Sequence, residues 1–153
     1  MGEIEGFLSA YASYVQLPWK RTLSGPERVW FIVYEPIQER RLRLRLPEFE
    51  TATKNAGHGW AGLDLTDTFA QWMAQQEYRE AYFETPEDMQ LALEDYTTYV
   101  TGLVRACLTA PNVDENTVVA LWGVASLFGL TYVSAVISNV DDDIRGRLLV
   151  FFP

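Results

Sequence analysis

The chain has 153 residues, 48% of them hydrophobic and 22% charged, a composition that fits one ordinary globular domain and argues against a disordered tail or a two-domain enzyme. Its single cysteine, Cys107, and single histidine, His58, rule out a disulfide framework, a Cys-rich zinc module and a metal site built on a histidine pair. The net charge is −9 and unevenly placed: residues 1–54 hold eight basic and seven acidic side chains, residues 55–153 four and fourteen, so no autonomous nucleic-acid binding through a basic face is expected.

In chain order, Ile4, Phe7, Leu8, Tyr11 and Val15 form one helical stripe, which Pro18 ends. Gly25-Pro26 then turns the chain into Val29-Trp30-Phe31-Ile32-Val33-Tyr34, a continuous apolar run that predicts a strand covered on both faces. Residues 40–57 are ambiguous. Arg41 to Leu46 alternates like a strand, yet Leu42, Leu46, Phe49 and Ala56 recur at helical spacing; the reading favoured is a helix broken near Pro47 and closed by Asn55-Ala56-Gly57. A short strand is predicted at Trp60–Leu65. An aromatic helix is predicted at Asp67–Glu84, carrying Phe69, Trp72, Met73, Tyr78, Tyr82 and Phe83.

Thr85-Pro86-Glu87-Asp88 has the residue types of a helix start, and Met89, Leu93, Tyr96, Val100, Leu103 and Cys107 continue it as a narrow apolar seam. After Pro111-Asn112 come a buried-type strand at Thr117–Gly123, a short helix around Tyr132–Val140, the acidic turn Asp141-Asp142-Asp143 and a last strand running to Phe152. Four strands alternating with helices predict a single α/β domain over residues 1–153: a mostly parallel, Rossmann-like three-layer sheet with helices on both faces. The sequence stops one residue after a strand, where a chain end ordinarily trails off in polar residues, so a missing C-terminal segment is expected. No run approaches 18 apolar residues, and Met1-Gly2-Glu3-Ile4-Glu5 carries acids where a signal peptide carries bases; a cytoplasmic protein without membrane association is expected.

The motifs that carry chemistry are thin. The loop Glu35-Pro36-Ile37-Gln38-Glu39 after the first strand lacks glycine and a Lys-Ser/Thr pair, so it is no phosphate-binding loop; Gly123-Val124-Ala125-Ser126-Leu127-Phe128-Gly129 does not fit Gly-x-Gly-x-x-Gly and reads as tight strand-to-helix packing. Glu35 and Asp64 both fall at strand ends, where two carboxylates can share a metal for hydrolase or nuclease chemistry; capping of the next helix is the structural alternative for Asp64. Asp141 to Asp143 reads as a solvated loop. Cys107 lies on the apolar seam, where burial keeps a thiol protonated, His58 lies between glycines, and Ser126 lacks the Gly-x-Ser-x-Gly elbow, so no catalytic dyad and no cofactor site can be named.

Two features exceed a plain core. Arg40, Arg41, Arg43 and Arg45 place four guanidinium forks in six residues, either as a partner-binding face or as a solvated face balanced by Glu39, Glu48 and Glu50. The chain also has 5 Trp, 8 Tyr and 8 Phe, and Trp72, Tyr78, Tyr82 and Phe83 exceed what one helix stripe buries, which marks them as candidate interface residues.

From Val29 to Pro153 the sequence resembles the BrxB family, small accessory proteins of BREX bacteriophage-exclusion systems. The resemblance is carried by Val33-Tyr34-Glu35-Pro36, by Leu63-Asp64-Leu65-Thr66, by Trp72, Tyr78, Tyr82 and Phe83, by Leu121 to Gly129, and by Gly146-Arg147-Leu148-Leu149-Val150-Phe151-Phe152-Pro153. In that family the last strand continues into a Pro-Gly turn and a further segment, which is missing here. The resemblance implies a role in phage defence beside an adenine methyltransferase, a large ATPase and the alkaline-phosphatase-like PglZ. It supplies no catalytic residues. It implies a scaffold or adaptor that binds another BREX protein, PglZ first among them.

Overall fold

The computed structural model describes residues 2–76 and 85–153. Four strands, β1 (Val29–Val33), β2 (Gly59–Asp64), β3 (Thr117–Trp122) and β4 (Arg147–Phe152), form one all-parallel sheet in the order β1-β4-β3-β2. Among the described residues five α-helices connect or flank them: α1 (Glu3–Val15), α2 (Glu39–Asn55), α3 (Thr68–Ala74), α4 (Pro86–Leu108) and α5 (Val133–Val140). The fold is a three-layer α/β sandwich, as the alternation of strand and helix signals predicts.

The layers follow from the two-residue period of the central strands. Val119, Leu121, Leu148 and Val150 point to one face and pack with Tyr96, Val100, Val104 and Val136 of α4 and α5. Val118, Ala120, Leu149 and Phe151 point to the other and pack with Ile4, Tyr11, Leu42 and Phe49 of α1 and α2. The chain crosses the sheet one way through α2 and returns stepwise through α3–α4 and α5 on the opposite face. Reversing both the direction of travel and the face keeps every crossover of one hand, as parallel sheets require.

Four expectations need correction. The helix expected over Asp67–Glu84 ends at Ala74, with Gln75 and Gln76 already outside it, and residues 77–84 lie outside the described residues. The α2 helix runs unbroken through Pro47. Pro47 is exposed, so water can take the Arg43 carbonyl that its missing N–H leaves unpaired, and Leu42, Phe49 and Thr53 still reach the core. The buried stripe of α4 is Ala92, Tyr96, Val100, Val104 and Leu108, offset from the expected seam because a small Ala carries no apolar signal of its own. The strand expected to be covered on both faces, β1, is an edge strand with one bare face: Phe31 is 52% and Val33 61% exposed, while Trp30 and Ile32 pack inward against the α1–α2 layer.

The α1–α2 contact is closed by a buried polar pair. The Tyr11 hydroxyl donates to Thr53 Oγ1 at 2.5 Å, and Thr53 in turn donates to the Phe49 carbonyl at 2.8 Å. Burial pushes the Tyr11 phenol up to about 12. Among the described residues no helix is long and apolar enough to cross a membrane.

Candidate interaction surface

The carboxyl ends of the strands gather the residues that sequence reasoning singled out for chemistry. Asp64 closes β2. Its Oδ1 accepts from the Thr66 backbone N–H at 2.9 Å and from the Thr66 hydroxyl, a turn that Asp favours by its short acceptor side chain. Arg43 reaches across from α2, donating to Thr66 Oγ1 at 2.6 Å, to Asp64 Oδ2 at 3.5 Å and to Glu39 Oε1 at 3.0 Å. Burial raises the Asp64 carboxyl, but the Thr66 hydrogen bonds and the Arg43 charge outweigh it and hold the group below its usual range.

Gly123 closes this corner from β3. Its φ is +72°, and a Cβ there would lie 2.4 Å from Thr66 Oγ1 and 2.6 Å from Asp64 Oδ1. A side chain is excluded by both conformation and space. This explains the glycine of the Gly123-bearing loop as a packing requirement. Ser126 is a stitch in the same loop, its hydroxyl lying 2.6 Å from the Leu65 carbonyl and 2.8 Å from that of Gly123.

Glu35 and Asp64 are not brought together. Glu35 follows β1 and Asp64 ends β2, the two opposite edges of the sheet, so three inter-strand steps, about 14 Å, separate their strands. Two carboxylates so placed do not converge on one cation. Among the described residues no group of three or more His, Cys, Asp or Glu side chains is arranged to hold a metal ion. Asp143 of the acidic turn pairs with Arg105 at 2.9 Å, and burial pushes the Cys107 thiol up.

The four arginines of α2 divide into two pairs. Arg43 is engaged as above, and Arg45 bridges Glu5 of α1 at 2.9 Å and also pairs with Glu48. Arg40 and Arg41 are exposed and make no ion pair within 4.0 Å among the described residues, so only these two present unspent charge. Glu50 pairs with Lys54 at 2.5 Å instead of with an arginine. Trp72, a candidate interface residue, belongs to the core: it is 4% exposed, its ring 5.3 Å from Tyr96 and 6.0 Å from Phe69. Tyr78, Tyr82 and Phe83 lie outside the described residues.

The surface that sequence reasoning missed is the β1 edge. Among the described residues only β4 pairs with β1, so no described strand lies beside the outer N–H and C=O groups of Val29–Val33. The core that α4 and α5 form over β3 and β4 reaches β1 only at its first residue, Val29, and leaves Phe31 and Val33 more than half exposed. Val33 lies in register with Phe152, and the Phe152 ring is 5.4 Å from half-exposed Phe128, so the apolar strip continues inward from the edge. On the other side a groove of about 520 Å³ runs between α1 and β1, lined by Phe7, Tyr14, Trp30 and Phe31 among others. Tyr14, Leu17 and Ile37, all more than half exposed, extend the apolar surface at its two ends. No signal in the sequence marks it, because Val29–Val33 has the all-apolar composition of a strand buried on both faces.

No family model matches this chain, and no curated protein or solved structure matches it either. The resemblance to BrxB therefore rests on the residues quoted for it.

Proposed function

We propose that this chain is a non-catalytic adaptor of a BREX phage-defence complex, working in the cytosol by docking another BREX component, PglZ first among them, through its β1 edge. The observation that carries the reading is the bare apolar strand. Natural sheets blunt exposed edges with charge, proline, a bulge or a covering element, because a free edge recruits other chains. Val29-Trp30-Phe31-Ile32-Val33 carries no charge and no proline, and Phe31 and Val33 are each more than half exposed. A partner adding a strand or laying an apolar segment there gains main-chain hydrogen bonds and buries aromatic surface together. Arg40 and Arg41 on the nearby α2 helix favour a partner with acidic groups at the rim, where charge steers encounter more than it holds the complex.

Co-purification of the chain with individually tagged BREX components tests the proposal. Retention of one component, lost on joint Phe31→Lys and Val33→Lys substitution, is the expected result. Retention of none overturns it. Arg40→Glu with Arg41→Glu is expected to weaken capture by slowing association; unchanged capture removes the rim arginines from the account.

A further inference from the structure

The amino ends of the strands open on a cavity of about 440 Å³ whose wall includes five cationic side chains, Lys20, Arg21, Arg28, Arg145 and Arg147, against one acidic, Glu115. In a chain of net charge −9 this inverts the average. None of the five has a carboxylate within 4.0 Å among the described residues. The nearby Asp114 is engaged by its own turn, its Oδ1 accepting from Asn116 N and Thr117 Oγ1, each at 2.9 Å, and the Arg145 charge acts on its carboxyl only from beyond 4.0 Å.

What holds these arginines is neutral. Arg147, the first residue of β4 and only 4% exposed, donates to the carbonyls of Gly146 and Lys20, each at 2.9 Å, and its guanidinium carbon lies 4.9 Å from the Trp19 ring centre. Arg28 donates to the carbonyls of Leu23 at 3.1 Å and Arg21 at 2.9 Å and to that of Arg145, while Arg145 donates to Val113 at 2.8 Å. These bonds tie three loops together and satisfy N–H groups, but carbonyls cancel no charge. Burial of a cation without a counter-charge is costly, and a second guanidinium beside it adds repulsion. Burial, and then the Arg28 charge, push the Arg147 guanidinium below its usual value, yet an arginine stays protonated, so the positive field remains.

One wall is flat: the Trp19 and His58 rings stack 3.7 Å apart and 4° from parallel, with His58 Nδ1 held by Asn116 Oδ1 at 2.5 Å. The Trp19 indole N–H is buried with no acceptor, the single such side-chain atom among the described residues. Polar satisfaction is thus incomplete at the same corner where charge is.

We propose that this cavity binds a small phosphate-bearing molecule, its oxyanion seated on Arg147 and Arg28 with Lys20 and Arg21 at the mouth. Guanidinium forks match phosphate oxygens, and five cations around one cavity suit a group of two or more charges. The cavity volume falls in the range of small-ligand sites. A polymer of phosphates is disfavoured, because it would have to run along the acidic remainder of the surface. The inference is independent of the adaptor reading: it uses the amino ends of the strands, not the β1 edge.

Titration calorimetry of the purified chain at low ionic strength with inorganic pyrophosphate, adenosine diphosphate and succinate tests it. Pyrophosphate and the diphosphate are expected to bind with a dissociation constant below about 1 mM and succinate at least about tenfold more weakly. Lys20→Gln with Arg21→Gln removes two exposed charges that make no side-chain hydrogen bond, so the fold is kept and affinity should fall about tenfold. Arg147→Gln should abolish binding where circular dichroism shows it folded; where it does not fold, the Lys20–Arg21 variant decides. No binding of either phosphate, equal binding of succinate, or unchanged affinity in the Lys20–Arg21 variant overturns the proposal.

Discussion

The two edges of the sheet obey opposite rules. At the β2 edge the strand reads Gly-Trp-Ala-Gly-Leu-Asp, whose Gly59, Ala61 and Gly62 offer little apolar surface and whose terminal Asp64 is a charge at the edge, held by Thr66 and Arg43. At the β1 edge five consecutive large apolar residues end without a charge, and two of them stand in solvent. One edge is guarded and the other open, on the same sheet and the same distance from its core. Folding alone explains the first, since β2 lies against the α3–α4 layer and needs only a quiet outer side. It does not explain the second, because Phe31 and Val33 add little to a core they do not enter.

The largest expected effect sits on the open edge. Joint Phe31→Lys and Val33→Lys should lower affinity for the docking partner by about a hundredfold or more, the loss of an aromatic-centred hot spot, as read by surface plasmon resonance. Chemical unfolding of the same variant should move by no more than about 0.5 kcal/mol, because the side chains are already exposed.

The guarded edge predicts the reverse pattern. At Gly62 a Cβ would lie 2.5 Å from Trp122 Cη2 and 2.6 Å from its Cζ3, so Gly62→Ala must displace a large ring and should cost about 1–3 kcal/mol in urea unfolding while leaving partner affinity alone. Equal loss of affinity in this variant would erase the distinction between the edges.

A smaller effect concerns pH. The folded Asp64 carboxyl sits below its usual range, so its contribution is present above the unfolded value near about 3.9 and is lost as pH falls through the lower folded value. Asp64→Asn should therefore flatten the acid limb of the stability curve, by no more than about 1 kcal/mol because the side chain is nearly half exposed and solvent screens it. An acid limb identical to that of the unsubstituted chain would show that Thr66 and Arg43 do not hold the carboxylate.

Much of this architecture was readable from residue pattern. All four strands fall within a residue or two of their apolar runs, and α1, α4 and α5 follow from periodicity, because local propensity and burial point the same way there. Strand order was not readable, and it decides the rest. The run at β1 has the composition of a central strand, and only the β1-β4-β3-β2 order reveals that it lies at an edge. The same order separates Glu35 from Asp64, which look equivalent in sequence as two acids at strand ends. The cationic cavity was hidden for a related reason: Lys20, Arg21, Arg28, Arg145 and Arg147 come from distant segments that the parallel sheet brings to one end, whereas Arg40, Arg41, Arg43 and Arg45 stand out locally and prove half spent on Glu39, Asp64, Glu5 and Glu48. Charge density along a chain is not charge density in space.

Hydrogen–deuterium exchange of the backbone amides of Val29–Val33, measured with and without the co-purifying BREX component, tests the central claim most directly. Docking on the open edge predicts that these amides slow markedly in the complex while those of β2 keep their rates. A stable complex in which the β1 amides exchange as fast as in the free chain would contradict the account.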